Sequence, residues 1–280
     1  MAKITAADVS KLRTMTGVSM MECKKALVNA DGDIEAAVKS LREHGVAVAA
    51  KRAEKEANQG LIATKTSDDA SKVVIVEVNC ETDFVARNED FKKFADDVAQ
   101  AALDSDVEVS ELMKDEITSL ISAIGEKIEI RRATKFNLEG IGIFSSYIHL
   151  GGKVGVIVEV GCEKAESIGK AELEDFAKDI TLQIAAMSPR WLNSSAVPAD
   201  TINTEREIYA NQMKDEKKPE NIMERIIEGR INKFYEENCL VNQVFVKDSA
   251  LTISKLQEQV EKQLDDKLVI RRFERFQLGA

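Results

Sequence analysis

The sequence predicts an α+β fold, with a three-helix unit at the N-terminus and a duplicated core of antiparallel sheets with helices. Three observations lead to this prediction. Apolar residues recur at helical spacing in the first 45 residues, whereas several later segments alternate in the manner of strands. In addition, one strand-and-helix pattern occurs twice along the chain. Closely connected strands favour antiparallel pairing, with helices packed on one face of the sheet.

The N-terminal unit is predicted to span residues 1–45. Thr5 and Asp8 form a capping box that begins a first helix, and Gly17 ends this helix. A turn at residues 31–33 separates the second helix from the third. Three short helices form a small bundle that is similar to ubiquitin-associated domains. Residues 46–59 are rich in alanine, lysine and glutamate without a continuous apolar face, so they are predicted to form a linker.

The core contains an internal repeat with two different offsets. Residues 75–80 return 82 positions later as 157–162, and the apolar helix that follows returns at the same offset. Residues 130–132 return only after 140 positions, as 270–272. The segments that alternate as strands are 73–80, 128–138, 141–149, 154–162 and 267–278. We therefore expect a first core repeat at 60–140 and a second at 141–280.

The difference between the two offsets places an insertion of 58 residues in the second repeat. Thr204 and Glu207 are predicted to cap a helix that runs toward the polar residues 215–218, and Pro219 is predicted to open another helix. Two helices joined by a short polar tip are expected to form an antiparallel, coiled-coil hairpin at about 200–238. The alternative, in which both helices lie flat on the core, remains open.

The composition argues against several classes of protein. With 39 basic and 49 acidic residues the chain carries a formal charge of -10, which is the wrong sign for a phosphate backbone, so no direct nucleic-acid partner is expected. The composition is also unlike that of a disordered protein or a membrane protein. The four cysteines are widely separated and form no C-x-x-C pair. This pattern favours reduced thiols in a cytoplasmic protein.

Signatures of catalysis are absent from the sequence. Only two histidines, His44 and His149, are available, and neither has a cysteine or carboxylate at a metal-ligand spacing. The segment 151–153 is not a phosphate-binding loop, because a valine follows the lysine where Ser or Thr is needed. No enzyme activity, cofactor or bound metal is therefore predicted.

The segment 77–87 stands out because a strand ends there and polar residues lead to a phenylalanine before the next helix. One interpretation is a helix cap, in which Thr82 or Asp83 accepts hydrogen bonds from backbone amides and Phe84 packs as a hydrophobic staple. The other interpretation is that the corner presents Phe84 to a partner. The residues alone leave both open.

Two motifs resemble the elongation factor Ts family. Residues 77–87, with Thr82-Asp83-Phe84 at their centre, resemble the signature of this family, and so do residues 12–27 of the N-terminal unit. The order of helical head, linker, duplicated core and inserted hairpin, with Glu228-Gly229 in its second helix, is similar as well. The resemblance covers the whole chain.

The resemblance implies a guanine-nucleotide exchange factor for elongation factor Tu, the GTPase that carries aminoacyl-tRNA. Phe84 would enter near the magnesium site of this partner, and His149 would press near its phosphate-binding loop. The residues implied to contact elongation factor Tu are Leu12, Met20, Met21, Asn79, Cys80, Thr82, Asp83, Phe84, Ile124, Gly125 and His149. Those implied to displace its Mg²⁺ are Thr82, Asp83, Phe84 and Val85.

Each of these residues also has a purely structural interpretation. Met20 is compatible with a core position, Gly125 with a helix end, and His149 with a hydrogen-bonded strand residue. Two other classes of function stay open at this point. One is a general protein-binding adaptor that uses the helical head, and the other is a metal or phosphoryl enzyme with a site assembled across the repeat.

Overall fold

The computed structural model describes residues 4–213 and 219–280. The chain begins with three helices, which are α1 (Ala6–Thr16), α2 (Met20–Asn29) and α3 (Ile34–Arg52). The predicted capping box is present, since the Thr5 side chain accepts from the Asp8 N–H and the Asp8 carboxylate accepts from the Thr5 N–H. Gly17 ends α1 with a φ of 68°, a conformation that glycine adopts without strain. Helix α3 continues to Arg52, into the segment predicted to be a linker.

The next elements build one sheet and the helices that cover it. They are β1 (Gln59–Thr66), β2 (Lys72–Cys80), α4 (Asp83–Ala86), α5 (Glu89–Asp104), α6 (Val109–Leu112), α7 (Lys114–Ile124) and β3 (Ile128–Asn137). The strands form an antiparallel sheet in the order β1-β2-β3. We call this sheet the first sheet.

The remaining elements build a second sheet and an insertion. They are β4 (Gly142–His149), β5 (Val154–Cys162), α8 (Ala171–Met187), α9 (Ala199–Gln212), α10 (Glu220–Asn238), β6 (Val244–Phe245), β7 (Asp248–Thr252), α11 (Ile253–Leu264) and β8 (Leu268–Gln277). Strands β4, β5 and β8 form the second sheet in that order, and β6 pairs with β7. Short 3₁₀ turns lie at Ala165–Ser167, Ser194–Ala196 and Leu240–Asn242.

The two sheets have the same register. Val78 pairs with Ile130 in the first sheet, and Val160 pairs with Ile270 in the second, which agrees with the offsets of 82 and 140. Each sheet also carries a bulge at the equivalent place, directly before these valines. The sequence therefore predicted correctly where the central and last strands pair. It did not predict β1, β6 or β7.

The sheets stack on each other and carry their helices on the outer faces. One large apolar cluster fills the space between each sheet and its helices. The cluster of the first repeat includes Val76 and Phe94, and that of the second includes Val158 and Phe176. A third cluster, around Ile75 and Ile157, lies between the sheets. Burial of these side chains provides the main driving force for this layered α+β fold.

A buried glutamate on each central strand connects the sheets. Glu77 accepts from Arg132 of its own sheet at 2.7 Å and from the N–H of Gly279, which follows β8, at 2.9 Å. Glu159 makes the reciprocal contacts, with Arg272 at 2.8 Å and with the N–H of Glu139, which follows β3. Each sheet thus completes the hydrogen bonding of a buried carboxylate in the other, as burial of a charge requires.

The insertion forms an antiparallel pair of helices. Arg206 of α9 pairs with Glu228 of α10 at 2.6 Å, and Arg230 of α10 donates to Gln212 of α9. The predicted cap at Thr204 is wrong: α9 begins at Ala199, after Pro198, and the Thr204 hydroxyl donates to the Asp200 carbonyl inside the helix. Helix α10 follows Pro219 as predicted. The polar tip predicted at 215–218 lies outside the described residues.

The N-terminal helices pack on the first repeat through α3 and α7. Arg42 forms an ion pair with Asp115 at 2.9 Å, and Gly45 approaches Ser122 so closely that a Cβ at this position would lie 3.0 Å from the serine Cβ. A cleft of about 750 Å³ remains between these helices and α5 and α7. In the described part of the chain, no helix is both long and apolar enough to cross a membrane.

Candidate functional site

The corner between β2 and α5 is held by a carboxylate from another part of the chain. Thr82 is the N-cap of the short helix α4, and its hydroxyl accepts from the Val85 N–H. The Glu126 carboxylate accepts from both the backbone N–H of Thr82 at 3.0 Å and its hydroxyl at 2.8 Å. Hydrogen bonds to a carboxylate are stronger than those between neutral groups. The corner is therefore fixed independently of any partner.

Phe84 projects from this corner into solvent. Its side chain is 81% exposed, the largest exposure among the big apolar side chains of the described residues. The neighbouring Val85 is buried and anchors α4 on the sheet, while Asp83 forms an exposed ion pair with Arg87 at 2.8 Å. The cap interpretation is correct for Thr82, but the staple interpretation is wrong for Phe84. An exposed aromatic ring on a rigid corner is a suitable anchor for a protein interface.

The residues that precede the corner are inside the protein. Asn79 and Cys80 are fully buried, and Asn79 donates to the Glu77 carboxylate at 3.3 Å. Burial raises the pKa of the Cys80 thiol to about 12, and this thiol donates to the Thr82 carbonyl at 3.2 Å. A thiol that stays protonated is a poor nucleophile, so Cys80 shapes the corner and does not offer reactive sulfur.

The end of α7 lies directly beside the corner. Gly125 ends this helix with a φ of 83°, and no described atom beyond its own stretch of chain lies within 4 Å of the position that a Cβ would take. The next residue is Glu126, which binds Thr82, so the turn that Gly125 provides delivers the carboxylate to the corner. The structure thus brings Thr82, Phe84 and the Ile124-Gly125 end of α7 together. Gly125 is indeed a helix end, and it is also open to solvent on one side.

The N-terminal helices are tied to the same corner. Arg52, the last residue of α3, pairs with Glu81 at 2.9 Å, and Glu81 also accepts from the Lys127 N–H. On α2, Met21 is 74% exposed and Met20 is exposed to a lesser degree, so neither is a core residue. Leu12 is fully buried in the core of the three helices. It supports the exposed methionines from inside and offers no surface itself.

His149 lies at a different end of the core. It is the last residue of β4, is exposed, and its Nδ1 lies 2.8 Å from the Tyr147 hydroxyl. The following turn contacts the first sheet, because the Ile62 N–H donates to the Gly152 carbonyl. The described contacts do not join His149 to the corner at Thr82. The hydrogen-bonded strand interpretation is therefore correct for the chain by itself.

Three residues important for this geometry were given no role from the sequence. They are Glu126, Glu81 and Arg52. Glu126 could have been found by the repeat, because the equivalent position 140 residues later is Asp266, whose carboxylate holds the equivalent corner of the second repeat. Nothing in the local sequence marked Arg52, which acts across 29 positions of the chain.

The described residues contain no group of three or more His, Cys, Asp and Glu side chains that could hold a metal ion. What the fold and the corner do offer is a preformed surface that ends in an exposed aromatic ring. Such a rigid corner with an exposed ring is typical of proteins that bind other proteins.

Comparison with known proteins gives the family. The family model described as Elongation factor TS matches residues 81–280. Elongation factor Ts of Clostridium novyi (strain NT) is 43% identical over 289 aligned residues, which cover 99% of this chain and 93% of the relative. Elongation factor Ts of a Nitratiruptor species is 44% identical, with 99% and 93% covered. The chain belongs to the elongation factor Ts family and is thus a translation elongation factor.

Proposed function

We propose that this protein is a guanine-nucleotide exchange factor that binds elongation factor Tu and promotes the release of GDP. The observation that carries the proposal is the exposure of Phe84 on a corner held by Glu126. An apolar ring that enters beside a magnesium and phosphate site disturbs the coordination of Mg²⁺. GDP then loses part of its binding energy and dissociates. Thr82, Asp83 and Val85 fix the position from which the ring acts.

Exchange of this kind needs no catalytic group on the factor. If the factor binds the nucleotide-free partner more tightly than the GDP-bound one, linkage requires that GDP affinity falls by the same factor. Each tenfold preference corresponds to about 1.4 kcal/mol. The protein breaks no bond to phosphorus and acts as a binding protein in the cytoplasm, where translation elongation takes place. Neither nucleic acid nor a membrane is part of this mechanism.

The other predicted residues extend the contact. Met20 and Met21 would meet the GTPase domain with their exposed side chains, while Leu12, Asn79 and Cys80 would act from inside by holding the surface in shape. Gly125 leaves room for the backbone of a partner beside Ile124, because no described atom of this chain occupies the space next to it. His149 and the α9–α10 hairpin would reach further parts of the partner.

Stopped-flow fluorescence of labelled GDP leaving elongation factor Tu tests the role of Phe84. We expect the F84A variant to release GDP at least about tenfold more slowly than wild type at a fixed factor concentration, because loss of a central aromatic anchor costs about 2 kcal/mol or more. The matched control is V107A. Val107 is also exposed, but it adjoins Asp106, which pairs with Lys135 near the opposite end of β3.

An unchanged release rate in F84A would overturn the proposed role of the ring. The adaptor hypothesis makes the opposite prediction. If the helical head alone carried the affinity, then M21A would abolish binding and F84A would leave both binding and release intact. A smaller loss is expected for H149A than for F84A, and a normal rate in H149A would leave this histidine with its structural role only.

A further inference from the structure

A second groove lies in the second repeat, away from the exchange corner. It has a volume of about 570 Å³ and runs between the end of α8 and strand β8. Ser188, Arg190 and Trp191 line one side, and Arg275 lines the other. Strand β8 is an edge strand of the second sheet, so no further strand of the described chain pairs with it here. The lining includes four arginines and one carboxylate, Glu274, so the groove is a basic exception on an acidic chain.

The first repeat shows which partner a basic residue has at the position equivalent to Arg275. The equivalent residue of the first repeat is Lys135, which pairs with Val74 as Arg275 pairs with Val156. Lys135 forms an ion pair with the Asp106 carboxylate at 2.7 Å and donates to the Ser105 carbonyl just beyond α5. The position 82 residues after Asp106 is Ser188, at the end of α8. The second repeat has therefore kept the cation and lost its carboxylate.

Arg275 is left with little compensation. Its two terminal nitrogens contact only the neutral Gln277 side chain, each at 3.2 Å, and its buried Nε has no hydrogen-bond partner among the described residues. Among the described residues Arg275 forms no ion pair, whereas the nearby Arg272 pairs with both Glu139 and Glu159. Burial lowers the pKa of Arg275, which reflects the cost of keeping this charge partly away from water.

A second cation faces the same groove. The Arg190 guanidinium lies over the Trp191 ring, 4.2 Å from its centre, and in the described part of the chain it pairs with no carboxylate. Arg271 and Arg272 also border the groove, but both already pair with Glu159, and Arg272 pairs with Glu139 as well. Two arginines beside an aromatic ring form a site for a planar anion, since the guanidinium group matches a carboxylate with two parallel hydrogen bonds.

We propose that this groove binds a carboxylate carried by an acidic segment of a protein partner, with Arg275 and Arg190 as the binding residues. The bound carboxylate takes the place that Asp106 occupies in the first repeat. A carboxylate is favoured over other anions because it is the group found at the equivalent place. This inference does not depend on the proposed exchange function, because the groove shares no residue with the exchange corner.

The single tryptophan of the chain provides a direct measurement, because Trp191 lines the groove. The probe is a peptide of four glutamates with blocked ends, titrated into the full-length protein at constant ionic strength. We expect a saturable change in tryptophan fluorescence, and no change with the equivalent peptide of four glutamines. The R275Q variant is expected to bind about tenfold more weakly or worse, as loss of a charge-assisted hydrogen bond predicts.

A substitution that fills the site from within makes the sharper test. S188D restores the carboxylate of the first repeat, and aspartate tolerates the φ of 49° at this position. We expect S188D to abolish the response to the glutamate peptide, whereas the uncharged S188N keeps it. Far-ultraviolet circular dichroism verifies that all variants are folded.

Three results would overturn the inference. The first is the absence of a saturable response in wild type, and the second is an equal response in wild type and S188D. The third is tighter binding of inorganic phosphate than of the glutamate peptide, which would assign the groove to phosphate. None of these results bears on GDP release, so this inference and the exchange function can fail separately.

Discussion

The two core repeats turn the same corner and present different side chains on it. After β2, the chain forms α4 and exposes Phe84; after β5, it forms a 3₁₀ turn with Glu166 at the equivalent position. In both repeats a cysteine thiol donates to a backbone carbonyl two residues ahead. In both, a carboxylate just before the last strand holds the turn. The corner is therefore a shared scaffold, and the two repeats differ in the residue that they place on it.

The repeats also differ in how they neutralise their buried glutamates. In the first, Asn79 occupies the space beside Glu77. In the second, the equivalent residue is Gly161, and a Cβ there would come within 2.3 Å of the Arg271 guanidinium. The absence of a side chain at Gly161 thus admits a second arginine, which binds Glu159 at 2.9 Å. The difference between Asn79 and Gly161 thus explains why Glu77 pairs with one arginine and Glu159 with two.

The largest expected effect comes from breaking these ion pairs. E77A and E159A should each lower the free energy of unfolding by about 2 kcal/mol, because a backbone N–H contributed by the other sheet loses its acceptor and a partly exposed arginine loses its partner. E159A should cost more, since it leaves both Arg271 and Arg272 without this partner. Urea denaturation measures both values, with E77Q and E159Q as controls that keep the volume. Equal losses in the two alanine variants would mean that Arg271 adds no stability.

The second-largest expected effect concerns Asp266, the carboxylate that holds the corner of the second repeat. Burial by itself raises the pKa of Asp266, but hydrogen bonds from Ser167, Lys164, Lys267 and Glu163 outweigh it and lower this pKa below 3.8. The stabilisation is thus fully present above pH 3.8 and is lost as the pH falls through the lowered pKa. D266N cannot titrate. We expect it to be less stable than wild type at pH 7, with the difference shrinking on acidification, as measured by thermal unfolding at a series of pH values.

A difference between D266N and wild type that stayed constant with pH would contradict this linkage. It would indicate that the amide fails to fit the corner for a reason other than charge.

The smallest expected effect is that of F84A on stability. Because Phe84 is 81% exposed, its truncation should change the free energy of unfolding by no more than about 0.5 kcal/mol. The value is measured by urea denaturation beside V85A, which removes a buried neighbour and is expected to be clearly destabilised. A large loss in F84A would show that the ring supports the corner and is not free for a partner.

The sequence predicted the parts of the fold that repeat. The offsets of 82 and 140 locate the central and last strands correctly because a shared register preserves spacing. The same offset applied to β4 also points to β1, since Gly142 corresponds to Gly60. Strand β1 was missed because its own residues alternate weakly. Strand β6, with only two residues, is too short to produce a pattern.

The candidate site was predicted less completely, because exposure depends on the whole fold. An apolar residue after a cap can pack inward or point outward, and the sequence around Phe84 fits both. Leu12 and Met15 lie on one apolar stripe of α1, yet Leu12 is buried and Met15 is exposed. Which side of the stripe meets the neighbouring helices is decided by packing between distant segments, and local spacing does not contain this information.

The hydrogen bond from the Gly279 N–H to Glu77 joins residues that are 202 positions apart. Residue 279 itself must be synthesised before the Glu77 carboxylate can accept this hydrogen bond. Contacts of such long range are slow to form, because a large loop has to close first. They also tie the two halves into one cooperative unit. The duplicated core is therefore expected to melt in a single transition, even though each half repeats the plan of the other.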